Sequence, residues 1–177
     1  MDTNKQFDEA IAACRSIFAA KLGDYGPSWR MMRPQSVTDQ IFIKAKRIRS
    51  IEIKGVAAVA EGILPEFMAI VNYGIIGIIQ LSLGFSDTHD IDAARALELY
   101  DQVAEAAARL MKAKNHDYDE AWRSMRVPSY TDFILTKVVR IKEIEDNGGE
   151  VRVSEGIESN YFDIIVYAVF GVIKLTE

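Results

Sequence analysis

Three acids on a hydrophobic segment near the C-terminus are the residues of this sequence best suited to chemistry. Glu155, Glu158 and Asp163 fall on one arc of a predicted helix, together with Phe162 and Val166. A carboxylate on an otherwise apolar helix is costly unless it is paired or bound to a metal. Hard oxygen ligands suit Mg²⁺, particularly where a phosphate completes the shell. One reading is therefore a Mg²⁺ site built from Glu155, Glu158 and Asp163, with Asp132 nearby, that activates a water against a phosphoryl group. The other is a buried salt bridge from Asp163 or Glu158 to Arg140 or Lys137.

The cations belong to the preceding predicted helix. At about 100° per residue, Lys137, Arg140, Ile141 and Ile144 share a face. Lys44, Arg47, Ile48 and Ile51 form the same face earlier in the chain. Such side chains either snorkel, with stems on the core and heads in water, or aim into a groove and neutralise phosphate or an acidic partner. Two aromatic loops add a further element. Asp24, Tyr25 and Trp29 recur as Asp117, Tyr118 and Trp122. Such aromatics are more often core anchors than base-stacking platforms. Trp122 and Asp117 are the nucleotide-contacting candidates under the second reading. Arg30, Arg33, Arg123 and Arg126 follow the tryptophans and either meet phosphate or pair with neighbouring acids.

These recurrences are parts of one repeat. At an offset of 93 residues, Lys21, Asp24, Tyr25, Trp29, Arg30, Met32 and Arg33 match Lys114, Asp117, Tyr118, Trp122, Arg123, Met125 and Arg126. The series runs on through Thr38, Asp39, Lys44, Arg47, Ile48, Ile51, Glu52 and Gly55. One insertion then moves the offset to 94, where Glu61, Tyr73, Gly77 and Leu81 meet Glu155, Tyr167, Gly171 and Leu175. Ordered identities of this kind indicate tandem duplication. The units are residues 1–84 and 85–177, joined by a short linker from Gly84 to Asp90. Their third segments differ. The first copy has Leu64 and Ala69 where the second has Glu158 and Asp163, and Glu66 is expected to face elsewhere. A metal site is therefore expected mainly in the second copy.

Each unit reads as three helices. The first spans Phe7 to Leu22, or Ile91 to Lys114, and Gly23 is expected to end it in the first copy. The second begins near Val37 and Tyr130, with Ser36 and Ser129 as caps and Asp39 and Asp132 in the first turn. Gly55 and Gly148 fall just beyond its end. The third begins near Gly62 and Ile157, where Pro65 is tolerated in the first turn. Glu150–Ser154 is a loop or a strand stub. The fold class is all-α, a pseudo-two-fold helical bundle in which the third helices lie centrally and Gly74, Gly77 and Gly171 allow close packing.

Composition bounds the function. The chain has 177 residues, 27% charged and 49% hydrophobic, with a net charge of −5. That charge argues against duplex nucleic acid, which needs a basic footprint, but leaves room for a nucleotide. A single cysteine and the absence of a signal-like N-terminus suggest the cytoplasm. The apolar runs Phe67–Leu83 and Tyr161–Leu175 read as core helices, not membrane spans. The sequence has no glycine-rich phosphate loop, no zinc spacing around His89 or His116, and no nucleophile motif.

The set D-Y-G-x-S-W, D-x₄-K-x₂-R-I and an acidic start to an apolar helix resembles the bacterial nucleotide modification associated domain 1 family. The carrying residues are Asp24, Tyr25, Gly26, Ser28, Trp29, Asp39, Lys44 and Arg47. In the second copy they are Asp117, Tyr118, Trp122, Asp132, Lys137, Arg140, Glu155, Glu158, Asp163 and Tyr167. The resemblance covers nearly the whole chain twice and implies a link to nucleotide metabolism. A more distant similarity is to the MazG-like all-α nucleoside triphosphate pyrophosphohydrolases, which imply Mg²⁺ and carboxylates on neighbouring helices. The second helix here carries no E-E-x-x-E. Three functions remain open: a Mg²⁺-dependent nucleotide hydrolase, a non-catalytic nucleotide-binding or regulatory module, and a structural interaction protein. The hydrolase would use Lys137, Arg140, Lys44 and Arg47 on the phosphates. A duplicated chain can stand as a pseudo-dimeric monomer or assemble as a homodimer.

Overall fold

The computed structural model describes residues 2–55, 62–148 and 156–177. Six α-helices occur among them: α1 (Thr3–Tyr25), α2 (Pro34–Lys54), α3 (Leu64–Leu83), α4 (Ala93–Tyr118), α5 (Val127–Asp146) and α6 (Ile157–Thr176). Short 3₁₀ turns, Ser28–Met31 and Ala121–Ser124, carry the two tryptophans. No strand is present among the described residues. The Glu150–Ser154 segment and the Glu61–Glu155 match lie outside the described residues.

The duplication becomes an approximate two-fold arrangement. α3 and α6 run antiparallel through the centre, and reciprocal packing fixes their register. The Tyr161 ring lies over Gly77, and the Phe67 ring lies over Gly171. These are equivalent positions in the two copies. A side chain at either glycine would collide with the ring, so the glycines admit neighbouring side chains and not merely a bare backbone. Both central helices are long and apolar enough to cross a membrane by composition, and 67% of each qualifying window is buried against the rest of the chain.

α2 and α5 also pair antiparallel, again reciprocally. Asp39 meets Lys142 at 2.6 Å, and Asp132 meets Arg49 at 2.7 Å. Deeper in the seam, Thr38 donates to Glu145 at 2.8 Å, and Thr131 donates to Glu52 at 3.1 Å. The apolar stripes of all these helices close one core, from Phe7, Ile41, Ile48 and Phe67 to Tyr130, Ile134, Ile141 and Val169.

Several local expectations change. α2 and α5 begin at Pro34 and Val127, with Arg33 and Arg126 as N-caps and no capping side chain. Ser36 and Ser129 sit inside the first turn because prolines 34 and 128 start the helices, their fixed φ and missing N–H suiting that position. Asp39 and Asp132 fall in the second turn, where opposite-copy cations hold them, not the helix dipole. Gly23 lies within α1, which continues to Tyr25 and is closed by Gly26 at φ 63°. Gly55 does end α2, in the left-handed region.

Candidate functional site

The predicted carboxylates part company in three dimensions. Asp163 is buried on α6, with Lys114 of α4 at 2.5 Å from one oxygen and Lys137 of α5 at 3.1 Å from the other. Glu158 is exposed in the first turn of α6. Asp132 faces Arg49 across the α2–α5 seam. Glu155 lies outside the described residues. Among the described residues, no three of His, Cys, Asp and Glu converge as a metal site would require. An ion at Asp163 would also have to displace two ammonium groups. The described donors therefore do not fit Mg²⁺.

The cations are committed in a pattern that the sequence only half revealed. Glu66, expected to face elsewhere, is buried and takes both Arg47 at 2.6 Å and Lys44 at 3.5 Å. The equivalent position in the second copy is Asn160. The internal acid has thus moved about one helical turn between copies, from Glu66 to Asp163. Arg140 lies 3.6 Å from Glu143 on its own helix. Lys44, Arg47, Lys137 and Arg140 all keep roughly a third of the side chain exposed, their stems along the core. This is the snorkelling geometry, with internal acids beneath several of the heads.

The aromatic loops frame the molecule's two main clefts. The first copy has a cleft of about 670 Å³ between the end of α1, the Tyr25–Trp29 loop and α3, with Phe18, Lys21, Tyr25, Trp29 and Tyr73 in its wall. The second copy has one of about 500 Å³ at the equivalent place, with Lys114, Tyr118, Trp122, Lys137, Asp163 and Tyr167. Both sizes lie within the range of small-molecule pockets. Asp117 is exposed beside His116 and does not line either cleft.

The loops are held by the arginines that follow the tryptophans. Arg30 is 3% exposed and grips Asp90 through two nitrogens, at 2.9 and 3.1 Å. It also donates to Gln80 and to the Gly84 carbonyl. Asp90 is consequently held below the usual carboxylate range, chiefly by that hydrogen bond. Arg123 holds Glu120 at 2.9 Å and reaches the start of α1 at Thr3 and Gln6. Glu120 is likewise lowered, with the Thr3 hydroxyl as the largest cause. Arg30 and Arg123 pair with acids and fasten the loops; they are not placed as free phosphate ligands.

Sequence reasoning passed over Lys21 and Lys114 as ligands of anything, although their identity across the copies was visible. It also missed Glu66. A wheel drawn on one helix shows a direction about that axis but not which neighbour's cation can reach it.

Fold and clefts together define a tandemly duplicated all-α protein with equivalent clefts in its two units. The chain belongs to the nucleotide modification associated domain 1 family, whose model matches residues 21–81 and 114–175. The two matches coincide with the two units. No curated protein and no solved structure matches the chain.

Proposed function

We propose that this protein binds a nucleotide, with the base among the aromatic side chains of a cleft and the phosphate end toward the cleft lysine. The observation that supports this is the construction of the same cleft twice from equivalent residues. Lys21, Tyr25, Trp29, Met32 and Tyr73 line one; Lys114, Tyr118, Trp122, Met125 and Tyr167 line the other. A purely structural role explains the tryptophans, which are buried, but not the exposed Tyr25 and Tyr118 at both rims. The family's description, which associates its members with nucleotide modification, agrees in substrate class.

Binding without turnover is the expected behaviour, because Asp163, Asp132 and Glu66 are engaged by Lys and Arg groups and Glu158 stands exposed apart from them. The test is a thermal-shift panel of adenosine, guanosine, cytidine and uridine mono- and triphosphates, with and without Mg²⁺. A ligand at about 100 times its Kd stabilises the native state by about 2.7 kcal/mol. For a chain of this size that is a rise in Tm of about 5–10 °C. No shift with any member of the panel would overturn the reading. Release of phosphate or pyrophosphate in the Mg²⁺ samples would replace binding alone with hydrolysis.

A further inference from the structure

We infer that the two clefts have diverged into one that binds a ligand and one whose lysines are already taken by the chain's own Asp163. The first-copy cleft takes the ligand, and that ligand must bring negative charge and hydrogen-bond acceptors. The inference rests on the nucleotide reading for the identity of the ligand, but not for the choice of cleft.

Three substitutions between equivalent positions carry it. The first is Asp163, whose counterpart is Ala69. In the second copy Asp163 occupies Lys114 and Lys137. In the first copy Ala69 stands there; Lys44, the counterpart of Lys137, is taken by Glu66 instead, and Lys21, the counterpart of Lys114, makes no ion pair among the described residues while lining the larger cleft. The second is Glu120, whose counterpart is Pro27. Glu120 accepts the Trp122 indole N–H at 3.2 Å. The proline side chain offers no such acceptor, and the buried Trp29 Nε1 has no hydrogen-bond partner among the described residues. A buried donor left unpaired costs about 1–3 kcal/mol, a cost that the second copy avoids. The third is Phe170, whose counterpart is Ile76. The Phe170 ring stacks on Trp122 with centroids 4.4 Å apart and planes 5° from parallel, whereas Trp29 meets the Phe18 ring at 6.0 Å, tilted by 41°. In the first copy an isoleucine stands at that position, and the cleft is larger by about 170 Å³ on the two quoted volumes.

Charge, hydrogen bonding and stacking thus change together and in one direction. Lys21 and the Trp29 indole N–H, whose counterparts are engaged by Asp163 and Glu120, have no such partners among the described residues, whereas Lys44 keeps an internal acid in Glu66. Asp163 stands in the second cleft where a ligand's acidic group would, and the first cleft has alanine at that position.

Calorimetric titration with the nucleotide giving the largest thermal shift tests this on four chains. The natural chain is expected to bind one equivalent. Lys21→Ala, at an exposed position, is expected to weaken binding about tenfold or more, whereas Lys114→Ala is expected to leave it within about twofold. Ala69→Asp, which grafts the second copy's internal anion into the first cleft, is expected to abolish it. Loss on Lys114→Ala with Lys21→Ala unaffected, or two equal sites in the natural chain, would overturn the inference while leaving nucleotide binding intact. If no nucleotide binds, phenyl phosphate at millimolar concentration serves as the probe. Binding that depends on Lys21 would then sustain the cleft assignment and remove the nucleotide, and no binding would remove both.

Discussion

Adding a single methyl group at the α3–α6 crossing gives the sharpest test of the packing. A Cβ placed on Gly171 would stand 2.8 Å from two ring carbons of Phe67. Comfortable carbon–carbon contact begins near 3.5 Å. Phe67 is fully buried, so its ring has no solvent-side rotamer to retreat into. Overpacking of this kind costs about 1–3 kcal/mol, against which a mid-helix alanine regains about 0.5–1 kcal/mol over glycine. Gly171→Ala should therefore lose about 1–2 kcal/mol. Gly77→Ala, whose methyl would lie closer still to the Tyr161 ring, should lose more. Gly23→Ala is the control: it sits in α1 with nothing within 4 Å of its would-be Cβ and should gain about 0.5–1 kcal/mol. Urea unfolding reads all three as shifts of midpoint at constant slope. Phe67→Leu should relieve part of the Gly171→Ala penalty in a double-mutant cycle. If Gly171→Ala stabilised the chain as Gly23→Ala does, or showed no coupling to position 67, the reciprocal packing described here would be refuted.

Three further outcomes follow from the same geometry. Arg30→Ala orphans the Gln80 side-chain oxygen, which is fully buried, and the Gly84 carbonyl, and should cost about 3 kcal/mol by urea unfolding. In Asp39→Ala and Lys142→Ala, a double-mutant cycle should give a coupling of only about 0.2–1 kcal/mol, falling with salt, because that pair is exposed. Glu52 and Glu145 are both raised above the usual carboxylate range, burial being the largest cause at each. The folded chain therefore holds those protons more tightly than the unfolded chain. That contribution is full below the ordinary carboxylate range and is lost as pH rises through the raised values. The difference in unfolding free energy between Glu52→Gln/Glu145→Gln and the natural chain should accordingly grow in the variant's favour from pH 4 to pH 7; a flat difference would contradict it.

Much of the scaffold was legible because duplication turns sequence identity into spatial equivalence. The ordered matches from Lys21 to Gly55 predicted two helical units, and the near-continuous apolar character of residues 67–83 and 161–175 placed the third helices at the centre. The pairing of Asp163 with Lys137 was also legible as one of two alternatives, since an acid on an apolar helix needs a cation and the preceding helix offers one. Its second partner, Lys114, was not, because nothing in the sequence sets the register of α4 against α6. Helix starts were misplaced by two or three residues because serine is a common cap, yet a proline one or two residues upstream had already begun the turn. A groove at Lys137 and Asp163 was anticipated, but the first-copy cleft was not. A cleft is the space left between elements, and its wall here mixes α1, a 3₁₀ turn and α3, whose spacing in the chain carries no motif. The asymmetry between Pro27 and Glu120 was present in the letters, but it gains meaning only when Glu120 is seen to accept the Trp122 N–H.

The chain has only two tryptophans, so an ¹⁵N-labelled sample should give two indole N–H resonances, assigned with Trp29→Phe and Trp122→Phe. Titration with the best-binding nucleotide should move the Trp29 signal, because Trp29 lines the first cleft, while the Trp122 signal, held by Glu120 and stacked on Phe170, stays in place. Movement of Trp122 alone, or no movement of either at saturating nucleotide, would contradict the account.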